Sequence, residues 1–198
     1  MSTTFHLVRH GEHDRVDRTL CGRMPGVVLN ARGRAQACAA GRRLAALQPV
    51  RIFSSPLERA RGSADIIAQE TGCPVEEAPA LQEIDCGEWT GKAFEDLHNE
   101  RRWKDWNEAR SVTRPPGGEM MIEVQARVVN YLAFLRRIYE RARLVLVSHS
   151  DVIKAAILFH IGMSLDLFSR IEVAPGSIST MIVGNGGAKL VSLNETFA

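Results

Sequence analysis

The chain has 198 residues, of which 45% are hydrophobic and 24% are charged, and its formal net charge is +2. These values are typical of a globular protein with one well-packed core, and so small a charge gives no electrostatic argument for nucleic-acid binding. We expect no membrane span, since no run of about 18 apolar residues occurs, and no secretory signal. The four cysteines form no CxxC pair, which predicts a reduced, cytoplasmic protein without a zinc motif.

The first predicted strand is the apolar run from Phe5 to Val8, which is followed by Arg9-His10-Gly11. Ligands of open α/β sheets bind beyond the carboxyl ends of the strands, so Arg9 and His10 are candidate site residues. We take His10 as the candidate nucleophile. An Arg-His-Gly run alone is weak, because three common residues recur by chance, so this hypothesis depends on matching chemistry at other strand ends.

A polar stretch rich in Gly and Pro, residues 12–30, predicts a loop across the end of this strand. Asn30 is a good N-cap for a helix over residues 31–47. The small side chains in that helix favour close packing on a sheet.

The second predicted strand, residues 51–53, precedes a helix that runs to about Glu70. Ser55 as N-cap and Glu58 three positions later fit a capping box. Arg59 then lies in the first helical turn, where free backbone N–H groups and the helix dipole favour an anion. The alternative is that Arg59 only solvates the helix end or pairs with a carboxylate.

The middle of the chain contains a loop around Glu83 and a basic, aromatic segment, and each allows more than one interpretation. Glu83 lies in a loop between Leu81 and Ile84, where partial desolvation would raise its pKa; a surface glutamate in a turn is the alternative. Residues 92–118 are rich in Arg and Trp and begin with a predicted helix over residues 92–106. We interpret this segment as a cap over a phosphate pocket, with a solvated helix or a base-stacking surface as alternatives.

The longest predicted helix covers residues 119–141 and has an apolar stripe at three- and four-residue spacing. The β-branched run 144–147 predicts a central strand. It leads into His149 at the start of another helix, so a second histidine follows a second strand. The tail predicts a hairpin of two strands, over residues 177–183 and 190–193.

Taken in order, these motifs resemble those of the histidine phosphatase superfamily, the phosphoglycerate-mutase-like proteins. The resemblance spans most of the chain and rests on five segments, namely residues 7–12, 54–60, 81–91, 116–119 and 147–149. It implies a single domain over residues 1–198, built as an α/β three-layer sandwich. A mostly parallel central sheet would be flanked by helices, with residues 92–118 as a cap or lid.

The resemblance also implies a role for each residue in a two-step transfer through phosphohistidine. His10 would attack phosphorus, while Arg9, Arg59 and His149 would hold the phosphoryl oxygens; in these roles a protonated His149 would add a further donor. Glu83 would protonate the leaving oxygen and then help to activate water. The expected catalytic residues are thus His10, Glu83 and His149, and neither a metal nor a cofactor is expected.

The chain departs from the family pattern in three places, one of which is Met120, where the family has a serine after Gly-Glu. Many relatives have a small or hydroxyl residue and then an asparagine after the nucleophile motif, where residues 13–16 are His-Asp-Arg-Val. Many also have two glycines after the second histidine, where this chain has Ser150 and Asp151, which adds negative charge near the pocket. Arg15, Arg23 and Ser150 are candidate substrate contacts.

The leading hypothesis is therefore a phosphatase that acts on small phosphate monoesters. A phosphoglycerate mutase is the runner-up, disfavoured because the segment 92–118 is short for shielding phosphohistidine from water. A non-catalytic module that binds phospho-ligands or a partner comes third, since His10 and Glu83 are both present. The expected partner is a small phosphorylated substrate rather than nucleic acid or membrane, and a homodimer is left open.

Overall fold

The structure is a computed structural model and describes residues 2–197. Within these residues, six strands form one sheet: β1 Ser2–Arg9, β2 Arg51–Ser54, β3 Val75–Glu77, β4 Arg143–Ser148, β5 Ile178–Gly184 and β6 Gly187–Glu195. Their order across the sheet is β3-β2-β4-β1-β5-β6. The first four strands in this order are parallel, and β5 and β6 pair antiparallel at one edge. The mostly parallel sheet expected from the sequence is confirmed.

Helices cover both faces of this sheet: α1 Ala31–Ala45, α2 Glu58–Thr71, α3 Phe94–Leu97, α4 Arg101–Glu108, α5 Met121–Ile138 and α6 Ser150–Ile161. Alternate residues of the central strands point to opposite faces, so Val145 of β4 joins a core with α1 and α2, while Leu144 joins one with α5 and α6. The three-layer α/β sandwich is confirmed. In residues 2–197, no helix has the length and apolar character needed to cross a bilayer.

Two helix predictions need correction. The helix expected over residues 92–106 is two short helices, α3 and α4, separated where Glu100 turns its carboxylate to Lys92 and to the indole N–H of Trp89. The helix after β2 begins at Glu58, so Ser55 is not its N-cap. Asn30, in contrast, caps α1 as predicted, since its side chain accepts a hydrogen bond from Gly33 N.

The carboxyl ends of β1, β2 and β4 meet at one edge of the sheet. Hydrogen bonds hold them in register beyond the strands: His10 N donates to Ser148 O, and Ser55 N donates to Val147 O, both at 3.0 Å. The start of α1 also packs tightly against this edge, because a Cβ atom at Gly33 would clash with the carbonyl group of Glu12. Residues from three strand ends and two helix starts are thus brought within contact distance.

Candidate active site

A cavity of about 140 Å³ opens at this edge of the sheet. It combines the strand ends with the loop after β1, the loop between β3 and α3, and the start of α6. The residues that line it include five of the predicted site residues, namely Arg9, His10, Arg59, Glu83 and Ser150. His149 lies directly behind this lining, with its ring centroid 5.1 Å from that of His10.

His10 is held as a neutral imidazole with one unprotonated ring nitrogen. Its side chain is 3% exposed, and Nδ1–H donates to the carbonyl oxygen of Gly11 at 2.8 Å. Because a carbonyl can only accept, the proton is on Nδ1 and the lone pair is on Nε2. Burial, followed by the charges of Arg59 and Arg9, lowers the pKa of His10 well below its usual value. The Nε2 atom is therefore nucleophilic at neutral pH.

The two guanidinium groups are anchored by the protein and still have N–H groups to offer. Arg59 is 2% exposed and donates from Nη2 to Gly22 O at 2.7 Å and from Nε to His10 Nε2 at 3.3 Å, while its Nη1 is buried without a partner. Arg9 donates from Nη1 to Val173 O at 2.7 Å, and its buried Nε also has no partner. Buried unpaired donors are costly, and an anion in the cavity would satisfy them.

Glu83 combines a fixed carboxyl group with a raised pKa. One carboxylate oxygen accepts from Ile84 N at 2.9 Å, and the other lies 3.9 Å from Nδ1 of His149. Burial, assisted by the nearby carboxylate of Asp151, raises the pKa of Glu83 to about 7. At neutral pH this group is thus able both to give and to take a proton.

His149 is fully buried and fixed by Ser55, whose hydroxyl lies 2.8 Å from its Nε2. This contact explains why Ser55 is not the N-cap of α2, since its side chain bonds to His149 and accepts a hydrogen bond from Leu57 N. Burial and the charge of Arg59 lower the pKa of His149 well below its usual value. The expectation of a protonated His149 is therefore wrong for the site as it stands, and the ring is neutral.

The three candidate substrate contacts occupy different positions. Ser150 lines the cavity. Arg15 is exposed on the loop after β1, outside the lining. Arg23 also lies outside it, because its guanidinium donates to Glu83 O at 2.8 Å and to the carboxylate of Glu119 at 2.9 Å. Arg23 therefore braces the acid loop rather than facing the cavity.

The lining also holds His13, which in the sequence is only a departure from the family pattern. Its ring stacks on that of His10 with centroids 5.4 Å apart and is 6% exposed. The Nδ1 atom accepts from Arg15 N at 3.3 Å, and burial lowers the pKa of His13 to about 4. The neutral ring thus carries its proton on Nε2. Its position three residues after His10 was the one available signal.

The segment 92–118 contributes one residue to the cavity lining and otherwise makes aromatic contacts in the core. Phe94 lines the cavity, and Trp103 and Trp106 are buried against Trp89 with ring centroids 5.2–5.7 Å apart. Buried indoles cannot stack nucleobases, so these tryptophans do not support the alternative of a base-stacking surface in this segment. In residues 2–197, no group of three or more His, Cys, Asp or Glu side chains has the arrangement of a metal site.

Comparison with known proteins agrees with this geometry. The family model of the histidine phosphatase superfamily, branch 1, matches residues 5–196. The chain belongs to the histidine phosphatase superfamily. One relative is a probable phosphoglycerate mutase, GpmB, of Salmonella paratyphi C. It is 32% identical to this chain, and the match covers 88% of this chain and 82% of the relative.

Solved structures of the superfamily share the fold over almost the whole chain. The alpha-ribazole phosphatase of Shigella flexneri is 28% identical with a TM-score of 0.85, and the match covers 97% of this chain and 96% of that one. A phosphoserine phosphatase variant of Entamoeba histolytica, in complex with phosphoserine, is 26% identical with a TM-score of 0.88, covering 98% and 97% of the two chains. These neighbours are similar in fold and are named as phosphatases.

Proposed function

We propose that this protein is a phosphatase that hydrolyses small phosphate monoesters in two steps through phosphohistidine on His10. The observation that carries the proposal is the neutral His10, whose Nε2 contacts Arg59 in a cavity that Arg9 also lines, both guanidinium groups having an unpartnered N–H donor. Phosphoryl transfer needs mainly positioning and donors aimed at the phosphoryl oxygens. The names of the structural neighbours support the same activity.

In the first step, the lone pair of His10 Nε2 forms a bond to phosphorus while the bond from phosphorus to the alcohol oxygen breaks. Arg59 exchanges its contact with His10 for contacts with the phosphoryl oxygens, and Arg9 donates from its free Nε. Ser55 holds Nε2 of His149, and the unpartnered Nδ1 of the same ring donates to the transferring phosphoryl group. The protonated carboxyl of Glu83 gives its proton to the leaving oxygen, so that an alcohol and not an alkoxide departs.

In the second step, water attacks the phosphohistidine. Glu83, now a carboxylate, takes a proton from the water as its oxygen bonds to phosphorus, and the N–P bond breaks with its electron pair returning to His10. Inorganic phosphate leaves, and the site regains its starting protonation. A pKa near 7 suits both directions of this transfer.

A mutase is the second candidate, favoured by one observation, the similarity to a probable phosphoglycerate mutase. A mutase must return the phosphoryl group to the substrate before water reaches it. The proposed cap, residues 92–118, is short for that purpose.

We also propose a cytoplasmic location, because all four cysteines are free thiols. A homodimer stays a prediction that analytical ultracentrifugation would test.

The experiment follows free phosphate and isomerisation together, using the full chain with p-nitrophenyl phosphate, glycerol 3-phosphate and both phosphoglycerates. We expect phosphate release from at least the first two, and its loss in His10→Ala. Isomerisation without release would favour the mutase. A folded protein that releases no phosphate and isomerises nothing would contradict both and favour the binding module.

A further inference from the structure

Besides the residues assigned to the chemistry, the cavity lining includes four residues whose side chains carry oxygen atoms. Thr19 and Ser150 have hydroxyls, and Asp17 and Asp151 have carboxylates. With a volume of about 140 Å³, the cavity holds a phosphoryl group and little more. The alcohol part of a substrate must therefore extend along these oxygens toward the cavity mouth.

Two wider clefts open beside the mouth, with volumes of about 770 and 600 Å³. Asp17 lines both of them as well as the cavity itself. An alcohol that leaves by either cleft passes this carboxylate. The unpartnered Nη1 of Arg59 marks the inner end as the place of the anion, so the two ends of the path have opposite charge preferences.

Arg110, which pairs with the cavity residue Asp151, is held by contacts within the protein. Arg110 is 8% exposed, donates to Asp151 at 3.2 Å and to Asn107 at 2.8 Å, and lies over the rings of Trp106 and Phe168 at 3.7 and 4.0 Å. A guanidinium held in this way is not free to receive a substrate carboxylate.

Two further cations of the neighbourhood are also outside the path. Arg23 is bonded to Glu119. Lys154 is buried with its ammonium group 4.7 Å from the centroid of the Phe168 ring, and it is not part of the cavity lining. The guanidinium groups that do line the cavity, Arg9 and Arg59, face the phosphoryl position. Within the cavity lining, a carboxylate on the alcohol would therefore meet Asp17 and Asp151 and no cation beyond Arg9 and Arg59. Arg32 and Lys104 line the two wider clefts.

We propose that the alcohol released by this enzyme presents hydroxyl or ammonium groups and carries no carboxylate, and that Asp17 and Asp151 select it. Hydroxyl and ammonium groups donate to carboxylate oxygens, whereas a carboxylate placed there meets like charges. This inference rests on the proposed phosphatase function and narrows its substrate class. It separates the chain from relatives named for phosphoglycerate, whose substrate carries a carboxylate.

Two pairs of esters that differ only at the carboxylate provide the test. Glycerol 3-phosphate is compared with 3-phosphoglycerate, and phosphoethanolamine with phosphoserine, with p-nitrophenyl phosphate as the activity reference. We expect kcat/KM to be at least about tenfold higher for the member without a carboxylate in each pair. Equal or faster turnover of the carboxylate members, with p-nitrophenyl phosphate hydrolysed, overturns the inference alone. No release from any ester overturns the proposed function as well.

Variants test whether the two carboxylates are the cause. Asp17 has a φ of 59°, a conformation that asparagine tolerates, so Asp17→Asn should fold normally. In Asp17→Asn and in Asp151→Asn, which releases Arg110, we expect the preference against 3-phosphoglycerate to shrink by about fivefold or more. Asp14→Asn, an exposed change on the same loop outside the cavity, should leave it unchanged. An undiminished preference in both cavity variants would overturn the assignment.

Discussion

Replacing Glu83 by glutamine removes the proton that the leaving oxygen needs and changes little else. The amide oxygen of the glutamine can still accept from Ile84 N, so the side chain keeps its position. With a pKa of about 7, about half of the Glu83 carboxyls are protonated at pH 7, against about 0.3% at the usual pKa. The folded protein therefore maintains a supply of acid that the variant lacks.

We expect Glu83→Gln to lower kcat/KM for glycerol 3-phosphate by about 10²–10⁴-fold, the usual contribution of a general acid. The loss with p-nitrophenyl phosphate should be below about tenfold, because nitrophenolate leaves without help. The assay is phosphate release from both esters at pH 7. Glu88→Gln, an exposed change in the same loop, is the matched control and should match the wild type. Equal losses on both esters would refute the acid role.

The remaining predictions concern the anchoring of the site. Arg59→Lys should lower kcat/KM by about 10²–10³-fold, because an ammonium cannot replace the planar fork that contacts both carbonyl and phosphoryl oxygens; a loss below tenfold in steady-state assays would contradict this. Ser55→Ala should lower kcat about tenfold by releasing the ring of His149, and Ser55→Thr should restore most of it; equal rates in all three proteins would remove this positioning role. Burial of Glu83 raises its pKa from 4.5 to about 7, so its ionisation costs stability that grows as pH rises from 4.5 and is complete above 7. In urea unfolding, the free energy of unfolding of Glu83→Gln should therefore exceed that of the wild type by about 2 kcal/mol more at pH 8 than at pH 5. A difference in unfolding free energy that does not change with pH would be inconsistent with a raised pKa. Gly33→Ala should lose about 1–3 kcal/mol of stability, since its Cβ meets backbone rather than a movable side chain; unchanged thermal unfolding would contradict the close packing.

The sequence predicted the sheet and the gathering of the site because both follow from local signals. Apolar runs mark β1 and β4, and the residues just after each strand, His10 and His149, necessarily meet at the carboxyl edge of a parallel sheet. The apolar neighbours of Glu83 predicted its raised pKa, which its burial produces, whereas its acid role came from the family resemblance. Arg59 was found through a helix start, although the helix begins later than predicted.

Other features depend on contacts between residues far apart in the chain, which no local pattern reveals. Ser55 satisfies every rule for an N-cap, yet its hydroxyl bonds to a histidine 94 positions away. The lowered pKa of His149 follows from its burial and, after that, from the charge of Arg59, which another element contributes. Arg110 pairs with Asp151 across 41 positions, so the charge of the cavity wall could not be judged before the structure.

Locating the transferred phosphoryl group tests the central claim most directly. Wild-type enzyme mixed with p-nitrophenyl phosphate is quenched within one turnover in alkali, which preserves phosphohistidine, and its peptides are analysed by mass spectrometry. We predict one acid-labile phosphoryl group on His10, formed and lost at rates consistent with kcat and absent from His10→Ala. Turnover with no phosphopeptide, or with the phosphoryl group on His13 or His149, would contradict the mechanism.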